Sequence, residues 1–183
     1  MQLSLRKPRL EDSDNLLAFR QAFQDAGQVL HGASFLDKAH SIPQWLDYLD
    51  QLEDEARVPD NLVPSLTYIM VDDKDKIIGI INLRLKLNDY LANIGGHVGY
   101  AIHPHLQGMG FGKQLLSLIL PVAKDHGLLR LLVTADEDNL ASQGVILANG
   151  GVFADKRQDL DDQSWVKRYW IATDDEDGAV THA

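Results

Sequence analysis

The chain has 183 residues, of which 45% are hydrophobic, and this composition is that of one globular domain with an ordinary core. It contains no cysteine, which excludes disulfides, thiolate zinc sites and a cysteine nucleophile. A net charge of −10 argues against a nucleic-acid partner. The sequence has neither an apolar run long enough to span a membrane nor a signal-peptide core, so we expect a cytoplasmic protein with no membrane partner.

The first half of the chain predicts one strand, two helices and a hairpin. Residues 2–6 alternate as a short strand. Helical stripes follow over about 16–26 and 45–52, and Pro43 stands at a first helical position before the second stripe. A strand over 66–71, a polar turn and a strand over 77–87 then predict a hairpin.

The central motif, residues 97–113, predicts a strand, a glycine loop and a helix start. Alternation up to Ile102 indicates the strand, which Pro104 ends, and Gly108, Gly110 and Gly112 follow. Apolar residues then recur along one helical face as far as Val122. Backbone N–H groups at a helix start, approached through glycines, form an anion site suited to a phosphate or pyrophosphate.

Two familiar phosphate motifs do not fit this loop. A P-loop requires glycine where Gln107 stands, and a dinucleotide fingerprint requires glycine where Lys113 stands. The pattern that fits is [Gln/Arg]-x-x-Gly-x-[Gly/Ala], met by Gln107, Gly110 and Gly112. The six residues alone also fit a plain glycine-rich turn, so the surrounding elements have to decide.

The second half of the chain completes a regular order of elements. An apolar run over 128–134 predicts a buried strand, a helix leads through Ile146 to Asn149, and strands over 151–153 and 164–171 form a final pair. The order is therefore β-α-α-β-β-β-α-β-α-β-β within a domain at 1–173. Residues 174–183 predict an acidic, disordered tail.

This order and the Gln107-x-x-Gly110-x-Gly112 motif resemble the GNAT superfamily of acyl-CoA-dependent N-acyltransferases. The resemblance implies an α/β (α+β) domain, with one mixed central sheet of about seven strands and helices on both faces. It also implies acetyl-CoA as co-substrate and direct attack by a primary amine of a small molecule or peptide. Dimers are frequent in the superfamily, so the resemblance allows a homodimer but leaves the oligomeric state open. No metal is expected, although His97, His103 and His105 lie close in sequence.

The resemblance also implies the residues that bind the cofactor. The pantetheine would pair with the strand at 100–102, the pyrophosphate would meet the glycine loop, and the helix start at Asn139 would reach the cofactor arm, although Asn139 also suits a helix cap. The cofactor-binding residues are therefore expected to be Tyr100, Ala101, Ile102, Gln107, Gly108, Met109, Gly110, Phe111, Gly112, Lys113, Asn139 and Ser142.

The catalytic and acceptor residues are less determined by the sequence. Many superfamily members use a tyrosine as general acid where this chain has Ile146, which leaves Tyr100, Ser142 or unaided thiolate departure. His97 and, where the fifth strand ends, Asp136 and Glu137 are the candidate general bases. By resemblance, His31, Phe35 and Trp45 would face the acceptor, although packing roles also explain them. The alternatives are a non-catalytic acyl-CoA-binding regulatory module and, more distantly, a dinucleotide oxidoreductase.

Overall fold

The structure, a computed structural model, describes residues 2–174. Its strands and helices follow the order β-α-α-β-β-β-α-β-α-β-β, which confirms the predicted order. The strands are β1 (Ser4–Arg6), β2 (Ser65–Val71), β3 (Ile77–Arg84), β4 (Val98–Ile102), β5 (Arg130–Asp136), β6 (Val152–Gln158) and β7 (Trp165–Ala172). The helices are α1 (Ser13–Asp25), α2 (Ile42–Glu53), α3 (Phe111–Asp125) and α4 (Leu140–Ala148).

The strands divide into two sheets that meet at one edge. One sheet has the order β1-β2-β3-β4 and the other has the order β5-β7-β6, and neighbouring strands in both sheets run antiparallel. The expected seven strands are present, but the ladder is interrupted between β4 and β5. The domain is therefore an α/β fold whose two sheets come together where the central motif begins.

Helices cover both faces of the four-stranded sheet, as predicted. Helices α1 and α2 bury one face together with Ile69 and Ile80, and α3 buries the other together with Met70 and Ile81. Neighbouring strand residues reach opposite faces because side chains alternate along a strand. Two apolar cores thus hold the sheet from both sides and fix the position of β4.

Some element bounds differ from the sequence prediction. Helix α2 begins at Ile42, one residue before Pro43, and the Ser41 side chain accepts a hydrogen bond from the Gln44 N–H at its N-terminus. Strand β6 continues to Gln158, although the sequence predicts only 151–153. Of the predicted tail at 174–183, only Asp174 falls within the described residues.

Candidate active site

The boundary between β4 and β5 lies beside most of the predicted site residues. The two strands contact each other near their first residues, where the His97 N–H donates to the Leu132 carbonyl at 2.7 Å. The Leu132 N–H returns a hydrogen bond to His97 Nδ1 at 2.8 Å. Beyond this contact, β4 and β5 belong to different sheets, and each presents an edge to the gap between them.

Alternate backbone groups of β4 point toward this gap. The Arg84 N–H donates to the His97 carbonyl at 2.8 Å, and the antiparallel register then places the odd-numbered residues of β4 in hydrogen-bonded pairs with β3. The N–H and C=O groups of Tyr100 and Ile102 therefore face the other way, toward the gap. Ala101 directs its backbone groups to β3 and its side chain into the core, so it contributes packing at this edge.

The Gln107 side chain is used to hold the turn after β4. Its Nε2 donates to the Ile102 carbonyl at 3.1 Å and to Gln28 Oε1 at 2.8 Å. These bonds connect the glycine loop to the end of β4 and to the segment after α1. Gln107 thus positions the loop through its side-chain amide.

Gly108 and Gly110 have a backbone conformation that other residues rarely adopt. Their φ angles are +77° and +87°, and a Cβ at either position would have no protein atom within 4 Å. Gly110 is the N-cap of α3, and no side chain supplies a capping bond there. The first N–H groups of α3 therefore face an open approach, and the helix dipole makes that approach favourable for an anion.

The other loop residues have different surroundings. Met109 and Lys113 are exposed beside this helix start, whereas Phe111 is buried in the core. Gly112 allows α3 and α4 to approach each other, because a Cβ there would lie 3.0 Å from Val145 Cγ2. Of the predicted loop residues, Phe111 and Gly112 thus build the helix packing that holds the open site in place.

Tyr100 and Ser142 meet across the gap. The Tyr100 hydroxyl lies 3.0 Å from Ser142 Oγ, within hydrogen-bond distance, and Ser142 stands in the first turn of α4. Asn139 caps that helix by accepting a bond from the Ser142 N–H at 3.0 Å, so its predicted capping role is confirmed. Burial raises the pKa of Tyr100, so the phenol holds its proton at neutral pH.

His97 has the environment of a neutral, structural histidine. It is only 7% exposed, and burial together with the Arg84 charge lowers the pKa of His97 to about 4. Its Nδ1 accepts the Leu132 N–H, so the ring proton of the neutral form is on Nε2. His97 therefore joins the two sheets, and its accepting nitrogen is already occupied.

The two acidic residues at the end of β5 differ in their partners. Glu137 forms an ion pair with Lys156 at 2.9 Å. The Asp136 side chain is exposed, and among residues 2–174 no side chain or backbone N–H binds its carboxylate. The Asp136 backbone carbonyl accepts a bond from Gln143 at 3.0 Å, which connects β5 to α4. Asp136 is thus a free carboxylate beside the helix that carries Ser142.

A cavity of about 540 Å³ lies on the other side of β4, and it contains two of the three predicted acceptor residues. His31 and Phe35 line it, whereas Trp45 is 2% exposed in the core. Trp45 Nε1 donates to the Ala33 and Ser34 carbonyls at 3.1 Å each. Trp45 therefore supports the loop that forms the cavity wall and does not line the cavity itself.

The cavity wall rests directly on β4. A Cβ at Gly32 would lie 2.2 Å from the Gly99 carbonyl oxygen, so only glycine permits this contact. Ser34 and Phe35 next to it have φ angles of +49° and +65°, which are uncommon for residues with side chains. The loop is thus held in an unusual conformation against the backbone of β4 at Gly99.

Asn82 and Arg84 are two polar cavity residues that the sequence did not indicate. Asn82 and Arg84 line the cavity from β3, two residues apart and so on the same face of the strand. An alternating pattern in 77–87 would have placed them together, but it gave no sign that their side was a cavity. Elsewhere, the described part of the chain gathers no three His, Cys, Asp or Glu residues suited to a metal, and none of its helices is both long and apolar enough to cross a membrane.

Comparison with known proteins shows that the chain matches a protein family. The model of the acetyltransferase (GNAT) domain matches residues 2–152. The structure is similar to ribosomal-protein-S5-alanine acetyltransferase from Vibrio fischeri, with a TM-score of 0.70, 18% identity, and coverage of 96% of this chain and 95% of that one. None of the curated proteins is significantly similar in sequence.

Two further solved structures have the same fold. A spermidine N-acetyltransferase SpeG chimera from Vibrio cholerae and hSSAT has a TM-score of 0.62 and 17% identity, with 94% of this chain and 97% of that one covered. The yncA protein from Salmonella typhimurium, solved with its cofactor acetyl-CoA, has a TM-score of 0.61 and 15% identity, with 98% and 99% covered. At these identities the likeness concerns the fold.

Proposed function

Because the chain belongs to the GNAT family of acetyltransferases, we propose that this acyl-CoA-dependent enzyme moves an acetyl group from acetyl-CoA to a primary amine of a small molecule or peptide. The observation that carries the proposal is the meeting of three features beside one strand. These are the gap-facing backbone of Tyr100 and Ile102, the uncapped start of α3, and the Tyr100–Ser142 contact. The acceptor cavity adjoins the same strand.

The cofactor would occupy the gap edge of β4 and the glycine loop. The extended pantetheine arm, which contains amide groups, would pair with the gap-facing backbone groups of Tyr100 and with the Ile102 N–H, since the Ile102 carbonyl already accepts from Gln107. The pyrophosphate accepts hydrogen bonds from N–H groups at the start of α3, and the exposed Lys113 adds positive charge nearby. Asn139 shapes the opposite wall by fixing the first turn of α4.

The reaction is a direct transfer in which one bond forms as another breaks. The neutral amine attacks the thioester carbonyl carbon, a β4 N–H stabilises the charge on the carbonyl oxygen, and the C–S bond then breaks. Tyr100 is the proposed general acid, because its raised pKa keeps the phenol protonated and able to donate to the departing sulfur. Ser142 orients that hydroxyl from α4.

The amine must lose a proton before or during the attack, since amines are mostly charged at neutral pH. Asp136 is the proposed base, acting through water, because its carboxylate has no partner among the described residues. His97 suits this role less well, since its Nδ1 already accepts the Leu132 N–H. We therefore assign His97 to positioning β4 against β5.

Two measurements on the full chain test the proposal. Isothermal titration should show acetyl-CoA binding, and release of free CoA should follow when an acceptor amine is added. Absence of binding at millimolar acetyl-CoA would overturn the proposal. Binding without thiol release across a broad amine panel would instead support a non-catalytic acyl-CoA-binding regulatory module.

A further inference from the structure

The acceptor cavity holds a positive charge that the protein does not neutralise. Arg84 reaches into it from the end of β3 and is partly buried. Its Nη1 donates to the Gly95 and Gly96 carbonyls at 3.1 Å each, which fixes one side of the guanidinium. Its Nε and Nη2 donors bind no other group in the described part of the chain, so the fork that suits a carboxylate stays available.

Two other largely buried arginines are neutralised by carboxylates, whereas the partly buried Arg20 binds the Leu36 and Ala39 carbonyls. The Arg6 side chain, 21% exposed, pairs with Asp12 at 2.7 Å, and that of Arg168, 10% exposed, pairs with Asp155 at 2.6 Å. Within residues 2–174, no carboxylate lies within ion-pair distance of Arg84. Because burying a charge without an opposite charge is costly, a ligand that brings an anionic group into the cavity would stabilise Arg84.

Asn82 supplies a second polar group on the same face of β3. Its Nδ2 donates to Ser34 Oγ and Thr67 Oγ1, both at 3.2 Å, and to the Leu66 carbonyl at 3.4 Å. A carbonyl can only accept, so the Leu66 contact favours the orientation in which the amide nitrogen lies on this side. The Asn82 Oδ1 acceptor has no donor among the described residues, and it is suited to an amine or ammonium.

Along β3, Asn82 lies nearer than Arg84 to Tyr100 of β4, where the acetyl transfer is proposed to occur. Asn82 is paired with Gly99 of β4, one residue from Tyr100, whereas Arg84 lies two residues further along β3. An acceptor held by both would place its amine toward the proposed thioester position and its anionic group away from it. The other charged residues of the cavity are Asp37 and Lys38. The lining is therefore not predominantly acidic, whereas an acidic lining would favour a polyamine.

We propose that the acceptor is an amino acid, whose carboxylate binds the Arg84 guanidinium while Asn82 accepts from its amine. This inference rests on the proposed acetyl transfer and specifies its substrate class. Two of the similar structures are named for other acceptors, spermidine and a protein alanine. Neither presents a free carboxylate beside the reacting amine.

The test compares free amino acids with their amides, using thiol release at saturating acetyl-CoA. The panel contains the 20 common amino acids, their carboxamides, spermidine and an alanine-starting peptide amide. The amide has the more acidic ammonium, so a site that ignored the carboxylate would favour the amide. We expect the best free acid to exceed its amide by at least about 10-fold in kcat/KM, since a charge-assisted hydrogen bond is worth about 1.5–3 kcal/mol.

Variants then test whether Arg84 is the source of that preference. Arg84→Met should bring the acid-to-amide ratio to one or below, and Arg84→Lys should restore part of it. General damage to the loop at Gly95 lowers both rates and leaves their ratio unchanged. Lys38→Met removes another cavity charge as a matched control and should leave the ratio within about 2-fold.

Each remaining result counts against a particular statement. Equal or better transfer to amides, spermidine or the peptide would overturn the amino-acid inference while the acetyltransferase proposal stood. An unchanged ratio in folded Arg84→Met would also overturn it. Bound acetyl-CoA with no thiol release from any amine would overturn both.

Discussion

Replacing Gly110 by alanine tests whether the start of α3 binds the cofactor. Gly110 has φ +87°, and a Cβ there would meet no protein atom within 4 Å. The substitution therefore adds conformational strain but no collision inside the protein. A left-handed conformation costs an L-residue about 1–2 kcal/mol, which should lower the melting temperature by roughly 2–8 °C in a chain of this size.

The effect on acetyl-CoA should come from the new methyl group in the open approach. If it moves the pyrophosphate out of reach of one backbone N–H, one charge-assisted hydrogen bond is lost. Such a bond is worth about 1.5–3 kcal/mol, so the Kd should rise by roughly 10- to 150-fold.

Gly127 provides a matched control at the other end of the same helix. Its φ is +81°, and a Cβ there would also have no protein atom within 4 Å. Gly127→Ala should therefore lower the melting temperature by a similar amount while leaving the Kd for acetyl-CoA unchanged. Thermal unfolding and isothermal titration of both variants separate strain from binding. If folded Gly110→Ala and Gly127→Ala bind acetyl-CoA within about 3-fold of each other, the glycine loop is only a turn.

Three further variants test the roles assigned around β4. Tyr100→Phe should lower kcat by about 100-fold, which is the lower end of general acid–base contributions, with little change in the Kd for acetyl-CoA. An unchanged kcat would show that Tyr100 is not the general acid. Acidification should destabilise the wild type because His97, with a pKa of about 4 when folded and 6.5 when unfolded, takes up its proton preferentially in the unfolded state. Stability should therefore fall as the pH drops from 6.5 to 4, by about 2 kcal/mol at pH 5. Urea unfolding of His97→Asn should show a correspondingly smaller fall, and a fall as large as that of the wild type would contradict this account of His97. Trp45→Phe leaves two loop carbonyls without their donor, so it should cost about 1–3 kcal/mol in thermal unfolding and raise the KM of the acceptor more than that of acetyl-CoA. Equal changes in both KM values would contradict its proposed support of the cavity wall.

The parts of the site that depend on local backbone chemistry could be predicted from the sequence. A strand stopped by Pro104, followed by glycines and an amphipathic stripe, specifies an open helix start without reference to the rest of the chain. The positive φ angles at Gly108 and Gly110 agree with that prediction. The cap at Asn139 is predictable for the same reason, because a short polar side chain bonds within its own turn.

The parts that depend on tertiary placement could not be predicted in the same way. An aromatic residue in a helical stripe, such as Trp45, fits either a pocket or a core, and only the neighbouring carbonyls decide. The unpaired charge of Arg84 arises from what surrounds it in space. Strand β6 was predicted too short because Asp155 and its polar neighbours lie on an exposed edge and show no apolar alternation. The interruption between β4 and β5 also has no local signal.

The proposed acid illustrates how a missing residue can be replaced from another element. Many members of the superfamily have a tyrosine in α4 at the position of Ile146, which in this chain is fully buried in the core and faces no cleft. The phenol that reaches the first turn of α4 instead comes from Tyr100 on β4, and Ser142 meets it at 3.0 Å. Because β4 also supplies the backbone groups that would hold the thioester, the proposed acid and its substrate are positioned by the same strand. A shift of β4 relative to α4 would therefore move both together, which makes the His97–Leu132 contact, where β4 meets β5, important for the geometry of transfer.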